Sequence, residues 1–295
     1  MNPIGSAGDV HPYVAIGSRL RKRGHDVLVV SDESFRSIVE SSGLDFVSVG
    51  VPVDWNSVAR DQRIHRRTAA WKEAMQWGAV GLMREVYSKI SQNHRPGNTL
   101  VASPLWSLGA RNARDRMGLL HVSLVLNPFL LRSMFRSPVV PMMYLPDWMP
   151  VALKRWQYFV ADHAVTDPVM LPETNQFRKE LRLSPVRRIM KKWWFSPDLV
   201  LGLFDEFLVP RQPDWPAQVE LVGHPAWDPE GDSKDVEQAQ DFFESGPAPV
   251  LFVPGSVGAG KKHYWQTAID ACERGGHRGL FLTKFAEDIP ALPDS

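Results

Sequence analysis

The chain has 295 residues, which at roughly 150 residues per domain predicts two domains. Its 44% apolar and 23% charged residues exclude wholesale disorder, and 34 Lys plus Arg against 33 Asp plus Glu give +1, so no global field draws it to nucleic acid or anionic membrane. One cysteine, Cys272, excludes an internal disulfide or a multi-cysteine metal site; with no signal peptide and no apolar run near the ~18 residues of a membrane span, the expected location is cytoplasmic.

Residues 12–23 place Val14, Ala15 and Leu20 near one helical face, with Gly24 as the stop. Val27–Val30 reads as a β-branched strand, Glu33–Ser42 as a helix closed by Gly43, and Phe46–Val49 as the next strand. Trp71–Ile90 carries apolar residues at three- and four-residue spacings and predicts one long helix. Strand 100–103, helix 108–116 and strand 121–126 follow. Helices and strands alternating with short connections predict α/β layers on a parallel, Rossmann-like sheet.

From Asn127 to Trp194 the alternation gives way to Pro138, Pro141, Pro146, Pro150, Pro168, Pro172 and Pro185. Prolines at that density argue against one long helix. Shorter helices over 149–163 and 175–183 remain compatible, and Phe129, Phe135, Met142, Met143, Tyr144, Trp148 and Trp156 are expected mainly in the core. If some of them face a cleft instead, the ligand is apolar. The only basic run beside aromatics, Arg178, Lys179, Arg182, Arg187, Arg188, Lys191 and Lys192 followed by Trp193-Trp194-Phe195, reads first as a charged helix surface. A membrane-proximal or lipid-acceptor edge comes second, giving a peripheral contact with the inner face of the membrane; a nucleic-acid patch is disfavoured by the even charge balance.

Strands are expected at 198–204 and 219–223, and the polar stretch after Pro225 marks a boundary. A fresh βαβ unit then begins at Pro249–Gly255, with a helix over 263–273 and a strand over 279–283. The organisation reads as a domain over 1–227, a linker over 228–247 and the incomplete start of a second domain over 248–295. Two strands and a helix leave the apolar edges at Leu251 and Phe252, or at Leu280–Leu282, short of neighbours.

Two loops can carry chemistry. Gly5-Ser6-Ala7-Gly8-Asp9-Val10-His11-Pro12 runs directly into the first helix: its glycines permit positive φ and close approach, and Asp9 or His11 could take a proton from a substrate hydroxyl. Helix capping alone would also explain it, and His11 could instead orient Asp9. Gly255-Ser256 follows a strand and could face a diphosphate with backbone amides, or be a plain turn. The segment from Gly255 through Gly260 to Lys261 comes one residue short of a nucleotide-hydrolase phosphate loop, because Lys262 stands where a magnesium-binding hydroxyl is needed. His94, His121, His163, His224 and His263 show no metal-ligand spacing, and Asp162, Asp167 and Glu173 no enforced carboxylate pair.

The segment GSAGDVHPYVAIGSRLRKRGHDV, followed by a strand and FRSIVESSGLDFVSVG, resembles the acceptor domain of nucleotide-sugar glycosyltransferases of the GT-B fold, especially the family 28 and sterol or rhamnosyl transferase branch, whose loop has the form GxxGDVxP. PVLFVPGSVGAGKKHYWQTAIDACERGGHRGLFLT resembles the opening of the partner, donor-binding domain. The resemblance implies inverting transfer of a hexose from a nucleoside-diphosphate sugar to a hydroxyl of an apolar acceptor such as a lipid, a sterol or a polyketide-like aglycone. Asp9 would be the base, ahead of His11, in a water-excluded cleft, with Gly5, Ser6, Gly8, Gly255 and Ser256 beside the ligands and no metal or separate cofactor. A histidine- and glycine-rich donor motif and an acidic-glutamine pair, usual further along such chains, do not occur in the sequence. The expectation is therefore an acceptor-side portion, inactive unless completed by a donor domain. Two other readings stand beside it: a non-catalytic binding module for a small molecule or lipid, and a phosphate-loop nucleotide hydrolase.

Overall fold

A computed structural model describes residues 1–60, 67–137, 145–227, 233–255 and 262–292. They form two compact units, one of Met1–Pro52 with His65–Trp227 and one of Val53–Ile64 with Asp228–Ser295. Segment 53–64, read within the first domain, thus groups with the second unit.

The first unit opens with helix α1 (Ala7–Lys22), strand β1 (Leu28–Ser31), helix α2 (Arg36–Ser41) and strand β2 (Asp45–Ser48), which pairs in parallel with β1. Strands β3 (Leu100–Ser103), β4 (Leu120–Val125), β5 (Leu199–Gly202) and β6 (Val219–Leu221) form a four-stranded parallel sheet in that order. Residues 1–4 lie between the two sheets: Val30 N–H donates to Met1 O at 2.8 Å, and Asn2 N–H donates to Ala102 O at 2.8 Å. The Met1 amine is buried and donates to Leu28 O, and desolvation lowers its pKa from 8.0 to about 5. Beside it a cavity of about 950 Å³ opens between the amino ends of β1 and β3, lined by Val27, Leu28, Leu100 and Leu120 among others.

Alternating side chains cover both faces of the larger sheet. Val101 packs with Val86, Ile90 and Ala110 on one side, and Ala102, Val122 and Leu124 with Tyr13 and Leu203 on the other. Helices α4 (Arg67–Ala74), α5 (Met83–Asn93) and α6 (Leu108–Met117) cover it. The expected single helix over Trp71–Ile90 is broken into α4, a π-helical stretch at Met75–Gly81 and α5. At α5 and α6, a Cβ on Gly109 would fall 2.4 Å from Met83 O, so only glycine permits their approach.

The proline-rich middle corrects the sequence expectation. Helix α7 (Val151–Ala161), a π-helical turn at Asp162–Thr166 and helix α8 (Asp167–Glu180) run without a break. Pro168 follows directly on the π-helical turn, where the regular hydrogen-bond ladder is already interrupted, and Pro172 lies inside α8. Of the apolar and aromatic residues expected mainly in the core, Phe129, Phe135, Trp148 and Trp156 are exposed, while Met142, Met143 and Tyr144 lie outside the described residues.

The basic run divides as well. Arg178, Trp193 and Trp194 are buried, whereas Arg182, Arg187, Arg188 and Lys191 are exposed. Arg178 donates to Asp115 at 2.7 Å and to Asn112 Oδ1 at 3.0 Å; the Trp193 indole N–H donates to Asp115 at 2.8 Å, and Arg111 also pairs with Asp115. Burial alone would raise the Asp115 pKa, but the Trp193 indole and both guanidiniums outweigh it and hold the carboxyl below its usual range.

The second unit contains helices α3 (Trp55–Arg60), α9 (Ser233–Glu244) and α10 (Lys262–Gly275) and the parallel pair β7 (Val250–Phe252) and β8 (Gly279–Phe281). The stretch expected as a linker therefore carries a helix. Buried Trp265 on α10 lies 5.3 Å from the Phe281 ring, and Arg60 on α3 pairs with Glu287. Of the apolar positions expected to lack neighbours, Leu251 is 50% exposed and Leu282 is exposed, whereas Phe252, Leu280 and Phe281 are half-buried; Val250 and Val253 are exposed beside them.

Candidate functional site

The glycine loop sits at the carboxyl ends of β1 and β3, at the switch between the two sheets of the first unit, the position where open α/β sheets place ligands. Ser31 Oγ donates to Pro3 O at 3.1 Å, Trp106 Nε1 donates to Ile4 O at 3.3 Å, and Ser107 Oγ donates to Asn2 Oδ1 at 2.5 Å. The Asn2 amide in turn donates to Val30 O at 2.8 Å. Asn2, Ser31, Trp106 and Ser107 thus hold the loop from both sides and were missed in the sequence.

Helix α1 begins at Ala7, five residues earlier than the apolar spacing predicted, with Ser6 as its N-cap residue. Asp9 in the first turn accepts from Ser6 N–H at 2.9 Å and from Ser6 Oγ at 3.2 Å, the backward half of a capping box. Gly5 has φ +137°, and a Cβ there would fall 2.3 Å from Asp9 Oδ2, so a glycine is required to seat the carboxylate. A Cβ on Gly8 would meet nothing within 4 Å, leaving that side of the turn open. Burial raises the Asp9 pKa, opposed by the two Ser6 hydrogen bonds. Asp9 in turn adds to burial in pushing the Tyr13 phenol well up.

His11 is half-buried, its ring 4.7 Å from the Trp227 ring and tilted by 58°. Gly5, Ser6, Gly8, Asp9 and His11 therefore share one helical turn and its loop, while none of them lines the 950 Å³ cavity at the opposite end of the strands. Gly255 follows β7 with φ +87° and is exposed; Ser256 and Lys261 lie outside the described residues, and Lys262 is the first residue of α10.

A serine–histidine pair elsewhere is structural. Ser103 Oγ and His121 Nε2 lie 2.8 Å apart, both buried in the sheet, and desolvation lowers the His121 pKa to about 3. Among the described residues no group of three or more His, Cys, Asp or Glu is placed to hold a metal ion, and no helix is long and apolar enough to cross a membrane.

The glycosyltransferase family 28 N-terminal domain matches residues 1–94, the span containing this loop, β1, β2 and α5. In the solved glycosyltransferase of kitacinnamycin, the fold superposes over 99% of this chain and 66% of that one with a TM-score of 0.64 at 16% identity. The fold is GT-B, and the chain is related to the family 28 and sterol-type nucleotide-sugar glycosyltransferases. A spinosyn rhamnosyltransferase solved with thymidine diphosphate gives a TM-score of 0.56 at 14% identity over 99% of this chain and 68% of that one. The O-mycaminosyltylonolide 6-deoxyallosyltransferase of Streptomyces fradiae is 26% identical over 98% of this chain and 68% of its own length. A sterol 3-beta-glucosyltransferase of Arabidopsis thaliana is 22% identical over 94% of this chain, which spans 44% of that relative.

Proposed function

We propose that the chain supplies the acceptor side of a nucleotide-sugar glycosyltransferase that moves a hexose to a hydroxyl of an apolar acceptor. On this reading residues 1–227 bind the acceptor and the unit from 248 onward begins the donor side, with a nucleoside-diphosphate sugar as co-substrate. The single observation that carries it is the Asp9 carboxylate, seated by Gly5 and Ser6 at the sheet switch point, in the span that matches family 28.

The chemistry follows from that placement. The acceptor hydroxyl gives its proton to Asp9 as its oxygen forms the bond to the anomeric carbon, and the nucleoside diphosphate departs with the electrons of the broken glycosidic bond on the opposite face, inverting the centre. A carboxylate whose pKa is raised by burial is a better base than a free one. His11 has a supporting place on the same turn, and the diphosphate is assigned to the backbone of Gly255, which follows β7. Names among the relatives, sterol glucosyltransferases and a macrolide deoxyallosyltransferase, support an apolar alcohol as acceptor.

One observation favours a binding module instead: Asp9 Oδ2 already takes both Ser6 hydrogen bonds, so capping occupies it. Two measurements on the full chain separate the readings. Acceptor binding is followed by calorimetry with a sterol and a macrolactone alcohol, and transfer by release of nucleoside diphosphate from UDP- and TDP-hexoses. Transfer that falls by about 10²–10⁴-fold in Asp9→Asn with acceptor binding retained supports the base. Binding without transfer in the parent chain supports the module, and neither binding nor transfer overturns both.

A further inference from the structure

Helix α7 is built inside out. Its buried stripe is polar: Lys154, 1% exposed, then Tyr158 and Asp162 at four-residue intervals. Each is satisfied inward or capped by a cation. Lys154 Nζ donates to Met134 O at 3.1 Å, Arg132 pairs with Asp162 at 2.8 Å, and the Arg132 guanidinium lies 4.7 Å from the Tyr158 ring centre. The opposite face, turned to solvent, carries Leu153, Trp156, Phe159 and Val160, with Trp156 60% and Phe159 45% exposed. Trp148, just ahead of the helix, is 76% exposed. A contiguous aliphatic and aromatic face of this kind on a water-soluble unit marks a contact surface.

The charges around this face decide what it contacts. Arg155 is exposed on α7 itself; Arg188 holds its guanidinium 5.3 Å from the Phe159 ring centre, and His163 stacks on the same ring at 4.0 Å. A cavity of about 260 Å³ at the foot of α7 gathers Arg132, Arg155, Arg188 and Lys191 in its lining, with Tyr158 at its wall. Among the described residues the buried Tyr158 hydroxyl has no hydrogen-bond partner. Of the carboxylates lining the cavity, Asp162 is neutralised by Arg132 and Asp214 accepts from Met134 N–H at 2.7 Å. With Asp162 paired to Arg132, the lining keeps Arg155, Arg188 and Lys191 against the one remaining carboxylate of Asp214, and Asp147 is exposed beside Trp148; the rim is net cationic around an aromatic face, the arrangement of helices that lie in the interfacial layer of an anionic bilayer.

We infer that the outward face of α7 docks the chain onto an anionic phospholipid surface, with Trp148, Trp156 and Phe159 entering the interfacial layer and a headgroup phosphate held at the Arg155, Arg188 and Lys191 rim. The basic run singled out in the sequence contributes only its exposed end. The larger share comes from α7 and the residue ahead of it, of which Trp148 and Trp156 were expected mainly in the core. This surface acts whether or not the chain transfers sugar, so its test needs no donor.

The test is flotation of the full chain with vesicles of phosphatidylcholine alone and of phosphatidylcholine with about one third phosphatidylglycerol. Binding to the anionic vesicles, at least about tenfold weaker to neutral ones, is the expected result. Trp156→Glu with Phe159→Glu, at exposed positions that leave folding intact by circular dichroism, removes that binding, and Arg155→Glu with Arg188→Glu removes the preference for anionic lipid. Absence of binding to anionic vesicles overturns the inference, as does binding that survives the Trp156 and Phe159 pair. A parent chain that sediments as a dimer, made monomeric by those changes, would assign the face to a second copy and overturn it too.

Discussion

The four-stranded sheet of the first unit is packed on both faces, whereas the β7–β8 pair of the second keeps Val250, Leu251 and Leu282 exposed. The same strand-helix-strand grammar produced both. Local pattern is enough to form two parallel strands and their helix, but dryness on both faces is a property of neighbours. The first unit distributes its stability over many buried contacts and a charged network; the described core of the second is centred on Trp265.

That contrast can be broken from either side. Trp265→Ala should remove about 3–5 kcal/mol from the second unit, enough to unfold it while leaving the first, and a two-step thermal melt would show loss of the lower transition only. Asp115→Asn should cost the first unit about 3–5 kcal/mol by leaving Arg111 and Arg178 buried without their shared carboxylate. A denaturant titration in which that variant moved the second unit's transition would deny the separation of the two.

Acidification should also strike the first unit. His121, at about 3 folded against 6.5 free, is held neutral by burial. The unfolded chain binds a proton there that the fold refuses, so stability present above pH 6.5 declines as pH falls below it and is lost as pH passes through about 3. Melting temperatures recorded from pH 8 to 3 should fall across that window, and His121→Gln should flatten its acid limb. The smallest effect belongs to the open face: Leu251→Thr should shift the second unit by less than about 1 kcal/mol, because half of that side chain is already in water.

Much of the fold was legible because buried strands and helices leave periodic traces: β3 falls where its apolar run lies, and β4 and α10 within two residues of theirs. The π-helical turns at Met75–Gly81 and Asp162–Thr166 were not legible, since a wider turn shifts side chains off the 3.6-residue spacing. Helix α9 carries Val236, Ala239, Phe242 and Phe243 at helical spacing, a stripe passed over because polar residues dominate the stretch around it. Helix α7 misled for the opposite reason, because periodicity reports that one face is apolar and says nothing about which way it points. At the candidate site, Asp9 and Gly5 were visible as a motif, but the Asn2, Trp106 and Ser107 contacts that fix the loop join residues about a hundred positions apart and leave no local signature.

The seat of residues 1–4 between the two sheets has a mechanical meaning. They bond to β1 through Val30 and to β3 through Ala102, so a change in the spacing of the sheets is carried straight into the loop that follows. A substitution at Asn2, whose side chain bonds both Val30 O and Ser107, would therefore loosen the seat of Asp9 without touching the candidate site itself.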